Sequence, residues 1–386
     1  MIFRNIGKTG VEGSQLGFGC MRLPVIDGVA NHIDIPEATK MLRHAIDNGV
    51  NYVDTAYPYH GTGFDKGGES EPFVAQALKD GYRTRVQLAT KLPSWLITCR
   101  ADMDKYLNDQ LKRLDTDHID FYLVHAINQA FWKNLTSHDL FGFLDAALKD
   151  GRIRHAGFSF HDDLPTFKKV VDAYNWSFCQ IQYNYLDTNY QAGEAGLAYA
   201  YERGLGIVVM EPIRGGSLAR NLPANVSSAF VTSGFKRSPV EWALRWLFND
   251  PRISVVLSGM SAMEHVEENL RVAAQAKAQA FSEAEKEVML KVQAAFKERI
   301  KVPCTSCAYC MPCPSGVDIP KNFQMYNSYY LVDESFRSTI KFQYGMQVAE
   351  AARASNCVKC GRCETHCPQQ ISIMKELDSV NAVFEM

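Results

Sequence analysis

The sequence has no run of apolar residues long enough to cross a bilayer, which argues against a chain threaded through a membrane by helices. It also lacks a charge excess of either sign. Its 41 Lys and Arg stand against 43 Asp and Glu, a formal net charge of −2, so nothing electrostatic recommends nucleic acid or an anionic membrane as a partner. The opening residues, Met1 to Gly7, are too short and polar for the apolar core of a signal peptide, and the chain is expected to be cytoplasmic. The sequon Asn134 to Thr136 is then a chance match. Cysteine is sparse over most of the length: of 11, eight fall between Cys304 and Cys367, leaving Cys20, Cys99 and Cys179, expected to be small buried hydrophobes. A complete glycine-rich dinucleotide turn is missing as well. Gly17 and Gly19 have no third glycine at the required spacing, which counts against an open doubly wound sheet.

What is present is an alternation. Strand-like runs occur at 16–21, 51–56, 86–91, 118–125, 154–160, 178–183, 206–210 and 253–259, after a short hairpin over 2–16. Between them, apolar residues recur at helical spacing. Ala38, Met41, Leu42, Ala45 and Ile46 form one face behind Pro36, and Phe73, Val74, Ala77 and Leu78 another; Phe143, Leu144, Ala147 and Leu148 make a third. Similar faces lie in 163–174, 189–203, 238–249 and 262–275. Strands too apolar for one-sided exposure, each followed by a helix, predict a parallel sheet covered by helices. Eight such units over about 260 residues predict an α/β fold, a closed (β/α)8 TIM barrel. The expected domains are the barrel at 1–280, a connecting helix at 281–303, and a small cysteine-rich domain at 304–386 containing a short helix near 342–353. So few aliphatic residues in the last part predict that a metal centre supports its fold.

Functional groups of such barrels gather at the C-terminal ends of the strands. Asp54, Lys91 and His125 end the second, third and fourth predicted strands, and Tyr59 lies in the turn after the second. Singly, each has an ordinary reading: a turn aspartate, a rim lysine, a satisfied histidine. Together they suit protonation of a carbonyl oxygen while hydride arrives at its carbon. Tyrosine titrates near pH 10, about three units above neutrality, and a neighbouring cation lowers that value. Lys91 is the expected cation, Asp54 the group that holds it, Tyr59 the general acid, and His125 a donor to the carbonyl. Trp95, Phe131 and Trp132 fall in predicted loops that would line the pocket.

These residues resemble the aldo-keto reductase family. The likeness rests on Asp54, Thr55, Ala56 and Tyr59, on Ala89 to Lys91 and Leu123 to His125, and further along on Gly157 to Ser159, Cys179 to Asn184, Glu211 and Pro212, Ser258 and Gly259, and Glu267 to Leu270, covering about residues 1–275. It implies NADP(H) or NAD(H) extended across the strand ends and a small carbonyl compound as substrate: an aldehyde, a ketone or a sugar. The implied nucleotide contacts are Ser159, His161, Gln180 and Met210, the loop residues Arg214, Gly215, Gly216 and Leu218, and Gly259, Ser261, Glu268 and Asn269. Phe160 replaces the family's usual carboxamide-binding asparagine, with His161 beside it as a substitute, and Met210 stands where an aromatic residue often stacks. Residues 259–265 lack the Lys and Arg that often hold a 2′-phosphate.

The cysteines Cys304, Cys307, Cys310 and Cys313, then Cys357, Cys360, Cys363 and Cys367, with a proline after the last of each run, resemble bacterial-type ferredoxins with two [4Fe-4S] clusters. In that pattern the fourth cysteine of a run serves the other cluster. The resemblance therefore pairs Cys304, Cys307, Cys310 and Cys367 in one cluster, and Cys313, Cys357, Cys360 and Cys363 in the other. Structural zinc is the competing reading, although zinc sites usually pair two separated Cys-x2-Cys units. Barrel and clusters together resemble a ferredoxin-fused branch of the family. Two other readings stay open: electron transfer between the clusters and a redox protein partner, which needs a flavin that no motif announces, and a non-catalytic barrel stapled by clusters.

Overall fold

Strand-length apolar segments separated by helices close here into a barrel because every strand is covered by a helix on one face and by other strands' side chains on the other. The computed structural model describes residues 1–63, 65–304, 310–367 and 370–385. The chain forms two compact units, Met1–Pro212 with Val240–Ala280, and Ile213–Pro239 with Phe281–Met386.

The first unit opens with an antiparallel hairpin, β1 (Phe3–Asn5) and β2 (Glu12–Ser14). The sequence then alternates: β3 (Leu16–Gly19), α1 (Ile35–Asp47), β4 (Tyr52–Asp54), α2 (Ser70–Ala77), β5 (Gln87–Leu92), α3 (Arg100–Arg113) and β6 (Ile119–Ile127). After β6 come α4 (Gln129–Ser137), α5 (Leu140–Lys149), β7 (Ile153–Phe160), α6 (Leu164–Asp172), β8 (Phe178–Gln182), α7 (Gly193–Glu202) and β9 (Gly206–Met210). In the second unit α8 (Ala224–Val231) follows, and α9 (Pro239–Phe248), β10 (Ile253–Gly259) and α10 (Met263–Gln275) complete the first. Strands β3 to β10 form a closed, all-parallel barrel in the order β10-β3-β4-β5-β6-β7-β8-β9.

The interior is filled by Tyr52, Ala89, Phe121, Leu123, Phe178, Val208, Val255 and Leu257, together with Ile6 from the hairpin. That hairpin covers the end of the barrel where the strands begin. Gly7 meets Gly206 there so closely that any Cβ would overlap the backbone, at a φ of +56° that glycine adopts freely. The larger apolar layer, including Leu42, Leu88, Val124, Phe143, Phe158 and Val209, lies between strands and helices. Helices start on side-chain caps: Asp34 accepts from Glu37, Asn128 from Phe131 and Asp163 from Thr166.

Two details differ from the sequence reading. Arg100–Arg113 is a full helix whose apolar stripe is thin, with Met103 and Leu107 the buried apolar positions among many charges, so the periodicity is weak. Phe131 and Trp132 belong to α4 rather than to a loop, because Asn128 caps a helix start directly after β6.

In the second unit α8 lies beside α11 (Glu283–Lys297), and Asn225 Nδ2 donates to the Ala295 carbonyl at 3.0 Å. Then come α12 (Ile319–Leu331), α13 (Arg337–Gln347), the single turn α14 (Arg362–Thr365) and α15 (Ile373–Phe384). The helix expected near 342–353 runs instead over Arg337–Gln347, because Val348 turns extended and the next residues form two short 3-10 turns. The unit has an apolar core after all, mostly aliphatic, with Val317, Ile319, Ile373 and Leu377 joined by Phe323, Tyr326 and Tyr344, and Cys304, Cys310, Cys313, Cys357, Cys363 and Cys367 packed on its margin. Among the described residues no helix is long and apolar enough to cross a membrane.

Candidate active site

At the strand ends, β4 closes on Asp54 and β5 carries Lys91, with Asp54 beside Ala89 in register. Lys91 Nζ donates to Asp54 Oδ1 at 2.6 Å and to the Thr55 carbonyl at 2.8 Å, and lies 3.4 Å from the Tyr59 hydroxyl. The ammonium also sits 4.9 Å from the centre of the Tyr59 ring, a cation–π distance. His125, on β6, turns its ring edge-on to Tyr59 with centroids 6.3 Å apart, and the Trp95 indole approaches it to 5.2 Å. The structure therefore brings all four residues together.

Burial governs their titration. It pushes the Tyr59 phenol upward, and the opposing pull of Lys91 does not overcome it, so the net direction is opposite to that expected from Lys91 alone. Burial likewise raises Asp54 against the pull of Lys91. For Lys91 burial pulls downward, yet the charges and hydrogen bonds of Asp54 and Tyr59 leave it above its usual value. His125 is driven well below the ordinary histidine range by burial, with Lys91 and His161 adding to it. The site thus holds a protonated phenol, an ammonium and a neutral imidazole. Asp54 Oδ2 and His125 Nδ1 are buried without a hydrogen-bond partner.

A second layer that the sequence reading missed braces this group. Glu71, fully buried in α2, accepts from Thr90 Oγ1 at 2.7 Å, Gln110 Nε2 at 2.8 Å and Arg113 Nε at 2.8 Å. Gln110 also donates to the Lys91 carbonyl at 3.0 Å, and Arg113 to the Gly68 carbonyl. Gly68 in turn lies against the Tyr59 carbonyl with no room for a side chain, so the turn carrying Tyr59 is closed on itself and tied to β5. A carboxylate inside the apolar face of α2 was the available signal. Cys20 and Cys179 are buried as expected, Cys20 beside the site with its thiol pushed up by burial, whereas Cys99 is exposed at the start of α3.

Of the nucleotide-contact candidates, Ser159 and Gln180 are register partners on β7 and β8. Ser159 Oγ accepts from the Ala126 N–H at 2.8 Å. Gln180 Nε2 reaches Met210 Sδ at 3.5 Å, while its buried Oε1 has no partner. His161 follows β7 and is exposed, and its backbone N–H donates to the Ile127 carbonyl at 3.0 Å. Gly259 ends β10, the Ser261 N–H reaches His265 Nδ1 at 3.4 Å, Glu268 lies 4.0 Å from Arg271, and Asn269 donates to Ser258 Oγ at 2.8 Å. Arg214, Gly215, Gly216 and Leu218 fall in the segment 213–239, which groups with the second unit. In that unit Cys313, Cys357, Cys360 and Cys363 line one hollow together with Ile319, Met374 and Leu377. Cys307 lies outside the described residues, as does the proline after Cys367. A hydrogen bond from the Arg362 backbone lowers the Cys360 thiol, whereas burial raises that of Cys363.

A closed parallel barrel with a buried Lys–Asp pair beside a half-buried tyrosine at its C-terminal mouth defines an oxidoreductase barrel, followed by a cysteine-rich unit. The chain belongs to the Aldo/keto reductase family, which matches residues 15–287, and residues 303–372 match the 4Fe-4S dicluster domain. It is similar to a probable aldo-keto reductase of Glycine max, 22% identical over 69% of this chain and 82% of that one. It is also similar to the aldo-keto reductase YhdN of Bacillus subtilis, 30% identical over 58% of this chain and 63% of the other. Among solved structures, the holo form of an aldo-keto reductase from Bacillus halodurans aligns with a TM-score of 0.62 at 25% identity, over 76% of this chain and 96% of that one.

Proposed function

We propose that the barrel reduces an aldehyde, ketone or sugar carbonyl, with Tyr59 as proton donor and NADP(H) or NAD(H) as reductant. The observation that carries this reading is the half-buried Tyr59 hydroxyl 3.4 Å from an ammonium that Asp54 holds at 2.6 Å. When bound, the nicotinamide supplies the hydride that arrives at the carbonyl carbon. Tyr59 gives its proton to the carbonyl oxygen, Lys91 stabilises the phenolate left behind, and Asp54 fixes Lys91 in place. His125, neutral at physiological pH, orients the carbonyl. Solvent then reprotonates Tyr59. Gln180 Oε1, buried and unpartnered, and the Ser159 hydroxyl, whose proton is free because the oxygen already accepts from Ala126, fit the donor and acceptor of a carboxamide.

The cysteine unit is read as holding two [4Fe-4S] clusters in the crossed arrangement. Support comes from the hollow shared by Cys313 with Cys357, Cys360 and Cys363, whose other lining includes Ile319, Met374 and Leu377 along with Ser315 and Lys359. Such clusters would exchange single electrons with a redox protein partner in the cytoplasm. In this reading the domains are 1–280, 281–303 and 304–386, with 213–239 the segment that groups with the second unit.

Replacing Tyr59 with Phe tests the assignment. Turnover of a carbonyl substrate is expected to fall on the order of 10²–10⁴-fold with nucleotide binding retained. Undiminished turnover would sink it.

A further inference from the structure

The strand that carries His125 is irregular at that residue. β6 stays in register with β7 from Ile119 opposite Ile153 to Val124 opposite Phe158, then resumes with Ile127 opposite Phe160. Three steps along β6 oppose two along β7, so β6 contains one extra residue, a bulge. The surplus falls at Ala126, whose φ of +53° lies in the left-handed region that residues with a side chain rarely enter. The bulge resets which way side chains face. Phe121 and Leu123 point into the barrel and Tyr122 and Val124 into the outer layer, so strict alternation would send residue 127 inward. Ile127 instead belongs to the outer layer. Were Ala126 to take an ordinary place in the ladder, an isoleucine would fill the mouth beside His125.

A bulge removes peptide groups from the strand ladder, and buried peptide groups need other partners. The peptide joining His125 to Ala126 finds one at each end. Ser94 Oγ donates to the His125 carbonyl at 2.6 Å, and the Ala126 N–H donates to Ser159 Oγ at 2.8 Å. Ser94 opens the 3-10 turn after β5 and Ser159 is on β7, so the segments on either side of β6 contribute one hydroxyl each. Both serines are buried, where an unmade bond to a peptide group is costly. A strained conformation persists when its surroundings over-determine it, and these two bonds do so.

We propose that Ser94 and Ser159 are positioning residues that clamp the His125–Ala126 peptide and thereby hold the bulge that aims the His125 imidazole at the reacting carbonyl. The proposal deepens the carbonyl-reductase reading and rests on the role given there to His125. Ser94 touches neither substrate nor nucleotide in that reading; it acts through His125. Ser159 has a second task, since its remaining proton faces the proposed carboxamide site, so nucleotide and imidazole are tied to one hydroxyl.

The test uses the full-length protein labelled with ¹³C and ¹⁵N in histidine. Ser94→Ala is expected to move the His125 imidazole resonances and to lower kcat by about 10- to 100-fold, with nucleotide affinity unchanged. Ser94→Thr, which restores a hydroxyl, is expected to recover both. His125 resonances identical in Ser94→Ala and the unmodified protein would overturn the proposal. If Ser94→Ala does not fold, Ser159→Ala removes the other half of the clamp, and its His125 resonances must move or the proposal fails. Failure of the carbonyl-reductase reading would leave every protein, the unmodified one included, without turnover, while the imidazole resonances still decide the clamp.

Discussion

The Lys91 ammonium and the Asp54 carboxylate meet at 2.6 Å with their side chains 0% and 3% exposed. Such a pair is stable as a pair, because each charge is the other's replacement for water; removing one partner strands the other. Lys91→Met is therefore expected to cost about 3–5 kcal/mol, read from the shift in urea midpoint at constant slope. A loss below about 1 kcal/mol would mean that the pair is more hydrated than its burial indicates.

Tyr59 carries a pKa raised by burial. Its phenol stays protonated through neutral pH, so carbonyl reduction is predicted to be flat from about pH 6 upward and to fall only above about pH 10, where an unperturbed tyrosine titrates. A falling limb near pH 8 in initial-rate profiles would contradict this.

His125 is held neutral by desolvation, with a folded pKa well below the ordinary one. In the unfolded chain it takes up a proton as the pH drops below about 6.5, so that state gains a proton the folded one refuses. Its contribution to stability is present above about pH 6.5 and is lost as the pH falls toward its folded pKa. It depresses stability by up to about 1.4 kcal/mol per pH unit in that window. Denaturation followed between pH 7 and 5 should show a shallower decline for His125→Asn, by one proton's slope.

At Ala126 the left-handed conformation costs a residue with a side chain roughly 1–2 kcal/mol, whereas glycine adopts it freely. Ala126→Gly is predicted to raise stability by about 1 kcal/mol. The His125 resonances should keep their positions. A loss of stability in thermal unfolding would show that the bulge is not strained.

The crossed arrangement of cysteines makes an unusual stoichiometric prediction. Cys313→Ser and Cys363→Ser should remove the same cluster and Cys367→Ser the other, although Cys363 and Cys367 are sequence neighbours and Cys313 is remote from both. Iron and sulfide analysis of anaerobically purified variants, with the double variant Cys313→Ser/Cys363→Ser retaining half the iron, checks this. Complete loss in that double variant would argue against crossing.

The barrel was legible because each strand is an apolar run stopped by a turn, and the four ionisable groups were legible because three of them end such runs. The Glu71 brace was not. Its partners Thr90, Gln110 and Arg113 are 19 to 42 residues away, and α3, which carries two of them, has too thin an apolar stripe to declare itself. Nor does any residue type mark the bulge: alanine at 126 gives no hint of a positive φ, and Ser94 and Ser159 read as ordinary polar residues.

The sequence by itself determined which groups are available: a phenol, an ammonium, a carboxylate and an imidazole near the ends of successive strands, and eight thiols at regular spacing. These are local properties, set by neighbours within a few residues. Only the tertiary structure decided what those groups are like. Burial reverses the shift that Lys91 alone would impose on Tyr59, Cys313 joins a hollow formed by thiols more than forty residues away, and the segments on either side of β6 set the direction of His125. Desolvation and strand register depend on what the whole chain packs around a residue, which no short stretch of sequence contains.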